Sequence, residues 1–262
     1  MWRLILGDGG AAPKAASGAR NMAVDAALLE SVQAGASPVL RLYRWSPACL
    51  SFGRNQVTRD IFDPCRLKDA GVDVVRRATG GLAVLHDREL TYAVIVPASE
   101  LGGPRAAYHT INAALVAGLA SLGVAAAVAG QDHAPPAPHA LEPCFHAPAA
   151  GEVMAGGGKL VGSAQRCERH TILQHGSILM GGSQGRITSF QYRTDPEVSA
   201  GTTLEEILGE EPDVERLAAA VIAGFESTVG TCLAHCEMDT GERATAKSLE
   251  AHFGSNAWTW RR

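Results

Sequence analysis

Two apolar segments interrupted by small residues stand out in this sequence, one at residues 74–87 and the other at residues 158–180. Gly80 and Gly81 break the first segment, and Gly162 breaks the second. A glycine inside a strand pattern lets a ligand or another backbone approach closely, because no side chain stands in the way. Cations and imidazoles flank both segments. The pattern therefore predicts strands that bring bare backbone and charged side chains to one ligand.

Strand patterns outnumber helix patterns, and they do not alternate regularly with them. The predicted strands cover residues 39–45, 49–52, 71–75, 82–85, 90–96, 124–128, 160–164 and 177–180, and the predicted helices cover residues 21–30, 105–122, 213–229 and 243–253. This order predicts an α+β fold, with a mixed, largely antiparallel β-sheet flanked by helices. We expect a single catalytic domain over residues 1–262, in which residues 200–262 form a helical C-terminal extension packed on it.

The amino-acid composition argues against several classes of protein. The formal net charge is −4, so no broad basic face is expected and nucleic acid is an unsuitable partner. No apolar run is long enough to cross a membrane, and the N-terminus lacks the apolar stretch of a signal peptide. Six cysteines at irregular spacing favour reduced thiols and a cytoplasmic protein over a disulfide scaffold.

The Gly80-Gly81 pair has two interpretations. Taken alone, it is typical of a tight turn between two strands. Arg76 and Arg77 before it and His86 after it favour a binding role, since arginine supplies planar donors that suit carboxylate or phosphate. The spacing of a phosphate-binding P-loop is absent.

Lys159 and His175 are ambiguous in the same way. An isolated lysine is normally a solvated surface charge, but residues 160–164 leave little bulk after Lys159. A lysine that enters a partly dry slot can polarise a carbonyl, hold a thiolate or act as a base. A lone histidine in a strand, such as His175 before Gly176, is more often a satisfied core group than a catalyst.

Cys144 differs from the other five cysteines in its surroundings. It lies within residues 130–148, where prolines and histidines predict a long surface loop. Exposure favours a reactive thiol. A thiolate is a natural acceptor for a thioester-borne acyl group, and exchange between two thiols is nearly isoenergetic, so no nucleotide is needed to drive it. We therefore interpret Cys144 as a candidate nucleophile in acyl transfer.

A metal site is the competing interpretation for the same loop. The candidate ligand sets are His133, His139, Cys144 and His146, and, near the C-terminus, Cys232, His235 and Cys236. Neither set has the two-plus-two spacing of a structural zinc site. We expect no metal.

Taken together, the motifs resemble those of the biotin/lipoate protein ligase and octanoyltransferase family. The matching stretches are Arg76-Arg77-x-Thr79-Gly80-Gly81-x-Ala83-Val84-x-His86-Asp87, Gly158-Lys159-x-x-Gly162-Ser163-Ala164-Gln165 and Gln174-His175-Gly176, with support from Asn21-Met22-x-x-Asp25, Arg41-x-Tyr43-x-Trp45, Ser51-x-Gly53-x-x-Gln56 and Ser255-x-x-Trp258. Leu82 stands where the ligases carry a third glycine, and a Cys144-Phe145 pair precedes the Gly-Lys strand. Both features resemble the octanoyltransferases typical of Gram-positive bacteria.

This resemblance implies both a fold and a site. The fold is that of the biotin/lipoate ligase catalytic domain, and the implied catalytic residues are Cys144 and Lys159. The implied substrate-binding residues are Arg76, Arg77, Thr79, Gly80, Gly81, His86, Gly162, Ser163, Ala164, His175 and Gly176. No cofactor is expected.

The resemblance also implies a reaction in lipoate biosynthesis and protein lipoylation. An octanoyl group would pass from octanoyl-acyl carrier protein to Cys144, and from there to a lysine of a lipoyl domain of a 2-oxoacid dehydrogenase or of the glycine cleavage H protein. Three alternatives stay open: a lipoate-protein ligase that uses ATP and magnesium, an octanoyl amidotransferase between carrier proteins, and a non-catalytic module that binds acylated carrier domains.

An octanoyl group needs an apolar slot. Burial of its six or seven methylenes supplies roughly 5 kcal/mol, at about 0.8 kcal/mol each. The candidate slot residues are Val74, Val75, Leu82, Val84, Val161 and Ile178. Because such a slot separates chains that differ by one methylene by only about 1–3 kcal/mol, the sequence leaves octanoyl and lipoyl groups undistinguished.

Overall fold

The computed structural model describes residues 1–130, 145, 151–193 and 201–262. Within these residues there are twelve strands and seven α-helices. The strands are β1 (Trp2–Leu6), β2 (Ala15–Ala16), β3 (Val39–Trp45), β4 (Cys49–Phe52), β5 (Asp73–Arg76), β6 (Val84–His86), β7 (Glu89–Pro97), β8 (Ala127–Val128), β9 (Val153–Ala155), β10 (Gly158–Glu168), β11 (Thr171–Leu179) and β12 (Leu233–His235). The helices are α1 (Gly18–Gln33), α2 (Pro64–Asp69), α3 (Pro104–Ser121), α4 (Leu204–Leu208), α5 (Val214–Val229), α6 (Thr240–Phe253) and α7 (Asn256–Thr259), with 3₁₀ turns at Ala98–Leu101 and Gln184–Phe190.

A mixed sheet forms the centre of the molecule. Its strands lie in the order β12-β1-β3-β7-β11-β10-β9-β8, and β2 pairs with β3 beside this path. The pairings from β3 through β7, β11, β10 and β9 to β8 are antiparallel, whereas β1 is parallel to both β12 and β3. The predicted mixed, largely antiparallel sheet flanked by helices is thereby confirmed.

A second, three-stranded sheet carries the Gly80-Gly81 segment. Its order is β5-β4-β6, with β4 parallel to β5 and antiparallel to β6. The loop that contains Gly80 and Gly81 connects β5 to β6. Both ends of the loop that carries the glycine pair are therefore anchored in strands of this small sheet.

Helices cover both faces of the large sheet. α1 packs with α6, and α3 packs with α5. Successive residues of β7 alternate between the two cores: Tyr92 and Val94 belong to the core beneath α3 and α5, and Ala93 and Ile95 to the core beneath α1. Since both faces are covered, strand residues 89–96 are all buried and the sequence reads as a continuous apolar run.

The four predicted helices are confirmed, with ends that differ by a few residues. The largest difference is at α1, which begins at Gly18 because the Ser17 side chain caps it by accepting from the Arg20 backbone N–H.

The predicted strands at 160–164 and 177–180 were too short. They are parts of one long hairpin, β10–β11, in which the outer part of β10 (residues 165–168) is polar and carries no apolar signal. Arg169 and His170 form its two-residue turn with φ values of 47° and 63°, the left-handed conformations that a type I′ turn requires. The predicted strand at 124–128 shrinks to the two residues of β8, and β1, β2, β9 and β12 were not predicted.

The domain division stays a prediction. Residues beyond 200 supply α4 to α7, as expected, and also β12, which pairs with β1 at the edge of the large sheet. None of the helices in the described part of the chain has both the length and the apolar composition needed to span a bilayer.

Two glycines let α3 and α5 cross closely. A Cβ atom added at Gly118 would lie 2.6 Å from the Ala220 carbonyl oxygen, and one added at Gly224 would overlap the carbonyl oxygen of Ala114. Side chains at these positions would push the helices apart.

We expect Gly224→Ala to lower the free energy of unfolding by about 1–3 kcal/mol, because the added methyl overpacks this crossing. In a helix without such a contact the same change stabilises the protein by roughly 0.5–1 kcal/mol. The sign of the change in unfolding free energy therefore tests whether the two helices cross closely. Urea denaturation provides the measurement. Thr228→Ala, at an exposed position of the same helix, is the control and should stay within about 0.5 kcal/mol of wild type. A more stable Gly224→Ala protein would contradict the close crossing.

Candidate active site

A pocket with about 420 Å³ of empty space lies between the two sheets. It is lined by Met22, Tyr43, Trp45, Ser51, Arg77, Gly81, Val84, His86, Thr91, Gly162, Ser163, Ala164, His175, Gly176 and Ser177. The two glycine-broken segments therefore meet here, as their pattern predicts.

Bare backbone forms the part of the pocket wall that β10 and β11 contribute. A Cβ at Gly176 would lie 2.5 Å from the carbonyl oxygen of Gly162, and a Cβ at Gly162 would lie 2.8 Å from the ring of Phe145. Ser163 pairs with Gly176 across the two strands. Larger side chains at the two glycines would separate the strands or displace the phenyl ring, so the pocket depends on their absence.

Arg77 fixes the conformation of the glycine loop, the segment between β5 and β6 that carries Gly80 and Gly81. Its guanidinium donates to the carbonyl oxygens of Gly80 at 2.7 Å and Leu82 at 2.8 Å, and to the Ser51 hydroxyl at 3.1 Å. Gly81 adopts a φ of 90°, in the left-handed region that favours glycine. This arginine is buried and lines the pocket with its charge already engaged by the loop, so it positions the loop.

Arg76 has a different role from its neighbour. Its guanidinium donates to the carbonyl oxygens of Gly53 at 2.6 Å and Thr259 at 2.9 Å, and to the Thr58 hydroxyl at 3.0 Å. The Thr58 backbone N–H and hydroxyl in turn donate to the Arg262 carbonyl oxygen. Arg76 is fully buried and is not among the pocket residues, so its geometry favours a structural role at the C-terminal segment over substrate binding.

His86 lies in a chain of hydrogen bonds under the pocket. Its Nδ1 contacts Glu89 Oε1 at 2.7 Å, and its Nε2 contacts the Ser51 hydroxyl at 2.7 Å. Glu89 Oε1 also accepts from the hydroxyls of Thr91 and Ser177, at 2.6 and 2.9 Å. Because the carboxylate can only accept, this pattern assigns the proton to Nδ1 of the imidazole.

The network explains how a pocket with many polar residues presents an apolar surface. The Trp45 indole stacks on the His86 ring with centroids 4.0 Å apart, and its N–H donates to Thr91 at 2.7 Å. The polar atoms of these side chains are turned toward each other, and ring faces and methyl groups are left for a ligand. An aliphatic chain can therefore bind without leaving these donors unpaired.

His175 forms a second network with Asp25 and Thr79. Its Nδ1 lies 3.1 Å from Asp25 Oδ2, and its Nε2 lies 2.6 Å from the Thr79 hydroxyl. Asp25 also binds Arg41 in an ion pair at 2.6 Å and accepts from the Tyr43 hydroxyl at 2.9 Å. These groups are all buried, so the network pins the loop that carries Thr79 to β11 and to α1.

The environment lowers the pKa of Asp25 and also that of His175. Burial alone would raise the pKa of the Asp25 carboxyl, but the ion pair with Arg41 and the bonds from His175 outweigh it and lower the pKa below 3.8. Burial lowers the pKa of His175 below 6.5, although Asp25 opposes the shift. The folded protein therefore holds His175 as a neutral imidazole near neutral pH.

These shifts make the fold less stable in acid. The unfolded chain binds a proton at His175 as the pH falls through about 6.5, whereas the folded protein does so only at lower pH, so stability is lost on acidification in this window. The contribution of Asp25 is lost at still lower pH, below its ordinary value of 3.8.

We expect the unfolding free energy of wild type to fall more steeply between about pH 7.5 and about pH 5.5 than that of His175→Gln, which lacks the titrating ring. Urea denaturation at each pH gives the two slopes. His252→Gln, at an exposed position, is the matched control for loss of one imidazole. Equal slopes for wild type and His175→Gln would contradict a depressed pKa at His175.

Lys159 is buried beside a glutamate that the sequence analysis did not identify. Its ammonium lies 2.5 Å from Glu152 Oε1 and 4.9 Å from the centre of the Phe145 ring. Lys159 is 3% exposed and Glu152 is 4% exposed. Phe145 also packs against Val84, a pocket residue. The phenyl ring therefore connects the lysine–glutamate pair to the pocket.

The predicted nucleophile lies outside the described residues. Cys144 is within residues 131–144, and the metal ligands considered in that loop, His133, His139 and His146, are also outside the described part of the chain. Among the residues that the structure describes, no three His, Cys, Asp or Glu side chains are grouped as metal ligands, so Cys232, His235 and Cys236 do not form such a site there.

Ser163 takes part in a third network, directed toward α3. Its hydroxyl lies 2.7 Å from the Tyr92 hydroxyl, which accepts from the Gln174 amide at 3.0 Å. Asn112 on α3 accepts from Gln174 and donates to the Gly151 carbonyl oxygen at 2.6 Å. The network ties α3 to the segment that leads into β9 and Lys159.

Most of the predicted slot residues do not line the pocket. Val84 does, but Val161 and Ile178 face the core beneath α3 and α5, and Val75 packs under α1. The remaining two, Val74 and Leu82, also lie outside the lining. The apolar wall comes instead from Met22, Tyr43 and Trp45, which belong to α1 and β3.

The fold and the pocket together define a protein with a largely apolar cavity between two glycine-broken segments, near a buried lysine. Residues 17–226 match the lipoyl protein ligase A/B catalytic domain, and the chain belongs to this family.

Relatives in this family are similar over the full chain. The octanoyltransferase LipM of Kyrpidia tusciae is 37% identical over 282 aligned positions, which cover 100% of this chain and 99% of that protein. The octanoyltransferase LipM of Moorella thermoacetica is 33% identical over 255 positions, covering 92% of this chain and 93% of that protein.

Solved structures share the fold at lower sequence identity. The T. acidophilum protein Ta0514 with bound lipoic acid superposes with a TM-score of 0.81 at 22% identity, over 99% of each chain. A lipoate-protein ligase A bound with ATP gives a TM-score of 0.79 at 22% identity, over 99% of this chain and 98% of that one. These likenesses confirm the predicted fold of the lipoate ligase catalytic domain.

Proposed function

We propose that this protein is an octanoyltransferase of protein lipoylation. It transfers an octanoyl group from octanoyl-acyl carrier protein to a lysine of a lipoyl domain or of the glycine cleavage H protein. The observation that carries this proposal is the similarity to octanoyltransferase LipM along the entire chain, at 37% identity to the Kyrpidia tusciae protein. The pocket between the sheets and the buried lysine–glutamate pair support it.

The pocket would hold the acyl chain. Trp45, Met22 and Val84 supply apolar surface, and the hydroxyls and imidazoles nearby are hydrogen-bonded among themselves. At about 0.8 kcal/mol per methylene, burial of the octanoyl chain contributes roughly 5 kcal/mol to binding. A free carboxylate or a nucleotide is not required for this interaction.

The covalent step is assigned to Cys144. Its thiolate attacks the carbonyl carbon of the donor thioester, a new carbon–sulfur bond forms, and the bond to the donor sulfur breaks and releases the carrier thiol. The acceptor lysine amine then attacks the acyl-enzyme, forming an amide while the Cys144 thiolate leaves and the amine loses its proton. A covalent intermediate splits one difficult transfer into two easier ones.

Lys159 would act in this scheme as a fixed positive charge. The Glu152 carboxylate binds its ammonium at 2.5 Å in a buried site, which fixes the position of the charge that would stabilise a thiolate or a carbonyl oxygen. Phe145, next to Cys144 in the sequence, packs on this ammonium. Backbone amides of the Gly80-Gly81 loop and of Ser163-Ala164 are the further candidates for holding the developing oxyanion.

The first test follows the acyl group by intact-protein mass spectrometry, without ATP. We expect octanoyl-acyl carrier protein to give an octanoyl adduct on Cys144, and apo lipoyl domain or H protein to remove it and become octanoylated. Cys144→Ala should form no adduct, whereas Cys65→Ala, which removes an exposed cysteine elsewhere, should behave as wild type. Full transfer by Cys144→Ala would contradict the covalent scheme. Acceptor modification that requires lipoate and ATP would identify a ligase instead.

A second test distinguishes the role of the Lys159 charge in acyl transfer from its contribution to protein stability. Lys159→Met and Glu152→Gln each remove one charge of this buried ion pair and should cost about 3 kcal/mol of unfolding free energy, whereas the double variant should recover much of it. Acyl-enzyme formation should be lost in Lys159→Met and should not return in the double variant. Urea denaturation and the mass-spectrometric assay give the two readouts. Transfer near the wild-type rate in either protein that lacks Lys159 would refute its assigned role.

A further inference from the structure

A second and larger cavity lies on the α1–α6 side of the molecule. This outer groove encloses about 1260 Å³ of empty space that includes its open side. Its apolar wall comes from Ala26, Leu29, Leu249, Phe253 and Trp258. Ala78 also lines the outer groove and directly precedes Thr79, so the loop that carries the glycine pair borders both this groove and the pocket. A partner seated in the groove would contact the loop that covers the acyl slot.

Arginines dominate the charged residues of this groove. Arg54, Arg166 and Arg169 line it, against Glu30 and Glu168. Glu168 is already paired with Arg166 at 2.6 Å.

A further arginine stands beside these. Arg261 stacks on the Trp258 ring at 4.0 Å and donates to the Arg54 carbonyl oxygen at 2.5 Å. Arg54 in turn donates its backbone N–H to the Thr79 carbonyl oxygen at 2.8 Å, so the backbone of Arg54 is held against the glycine loop.

Arg166 is paired with Glu168, but two of these arginines have no salt-bridge partner within the part of the chain that the structure describes. Neither Arg54 nor Arg261 takes part in any salt bridge between described residues. Burial and the nearby charge of Arg54 lower the pKa of Arg166 and also that of Arg261. A cluster of like charges on a protein with a net charge of −4 is suited to an acidic partner, because opposite potentials steer association and suppress other partners.

We propose that the outer groove is the docking surface for the donor carrier protein, which presents carboxylates around its acyl-bearing arm to Arg54, Arg166 and Arg261. This inference rests on the proposed transfer reaction. The donor fits the groove better than the acceptor, because the donor carries its acyl group on a long flexible arm and can dock at a distance from the slot. An acceptor lysine has only its own side chain with which to reach the acyl-enzyme, so its domain must sit at the pocket itself.

The test compares a carrier-borne donor with a small uncharged one. The rate of acyl-enzyme formation is measured with octanoyl-acyl carrier protein and with the octanoyl thioester of N-acetylcysteamine, for wild type, Arg54→Glu and Arg166→Glu. Arg216→Glu is the matched control, because Arg216 is exposed on α5, on the opposite face of the large sheet.

We expect each groove variant to lower kcat/KM for the carrier-borne donor by about tenfold or more, mainly through KM, and to weaken its dependence on salt. The uncharged thioester should acylate all four proteins at rates within about twofold of each other, since it makes no charged contact. Arg216→Glu should match wild type with both donors.

Three results would overturn the docking assignment. The first is unchanged acylation by the carrier-borne donor in both groove variants. The second is an equal loss with both donors, which would indicate damage to the slot. The third is normal acylation with slower release to the acceptor domain, which would assign the groove to the acceptor. Failure of wild type to form an acyl-enzyme with either donor would instead refute the proposed transfer reaction itself.

Discussion

The buried ion pair between Arg41 and Asp25 is the interaction on which the site depends. It joins the first long helix to the third strand of the large sheet, with both side chains withdrawn from water. Removal of either partner would leave an uncompensated charge in the interior, which typically costs about 3–5 kcal/mol. The ion pair also determines where other groups of the site lie. Asp25 orients His175, His175 holds Thr79, and Thr79 belongs to the loop that covers the pocket. One electrostatic contact in the core thus sets the place of a backbone segment at the ligand site.

The pocket combines two requirements that usually conflict. A fixed loop geometry needs polar side chains, and an aliphatic ligand needs a surface without unpaired polar atoms. The structure meets both by closing its polar groups into networks around His86 and His175, which leave ring faces toward the cavity. Lys159 and Glu152 pair with each other and do not line the pocket, so their charges are kept apart from its apolar surface.

The sequence predicts the fold class and the meeting of the glycine segments better than it predicts the slot. The apolar residues of α1 and α3 recur at helical spacing, and both helices appear where expected. Val161 and Ile178 were misplaced because the apolar pattern of a strand does not show which face it buries: both side chains pack in the core beneath α3 and α5, and not in the pocket. Glu152 had no signal of its own, because its pairing with Lys159 depends on the way β9 returns beside β10. Such contacts are properties of the tertiary structure and not of a local pattern.

Because Arg76 donates a hydrogen bond to the C-terminal segment, its site is completed only after that segment has been synthesised. Arg76 reaches a carbonyl group 183 residues further along the chain. At elongation rates of about 5–20 residues per second, the ribosome delivers that partner roughly 10–40 s after the arginine. During this interval the Arg76 guanidinium has to be buried while the Thr259 carbonyl oxygen, one of its hydrogen-bond acceptors, has not yet been synthesised. The small sheet and its glycine loop are therefore expected to be completed late in biosynthesis, and the nascent chain is most exposed to chaperones and proteases before then.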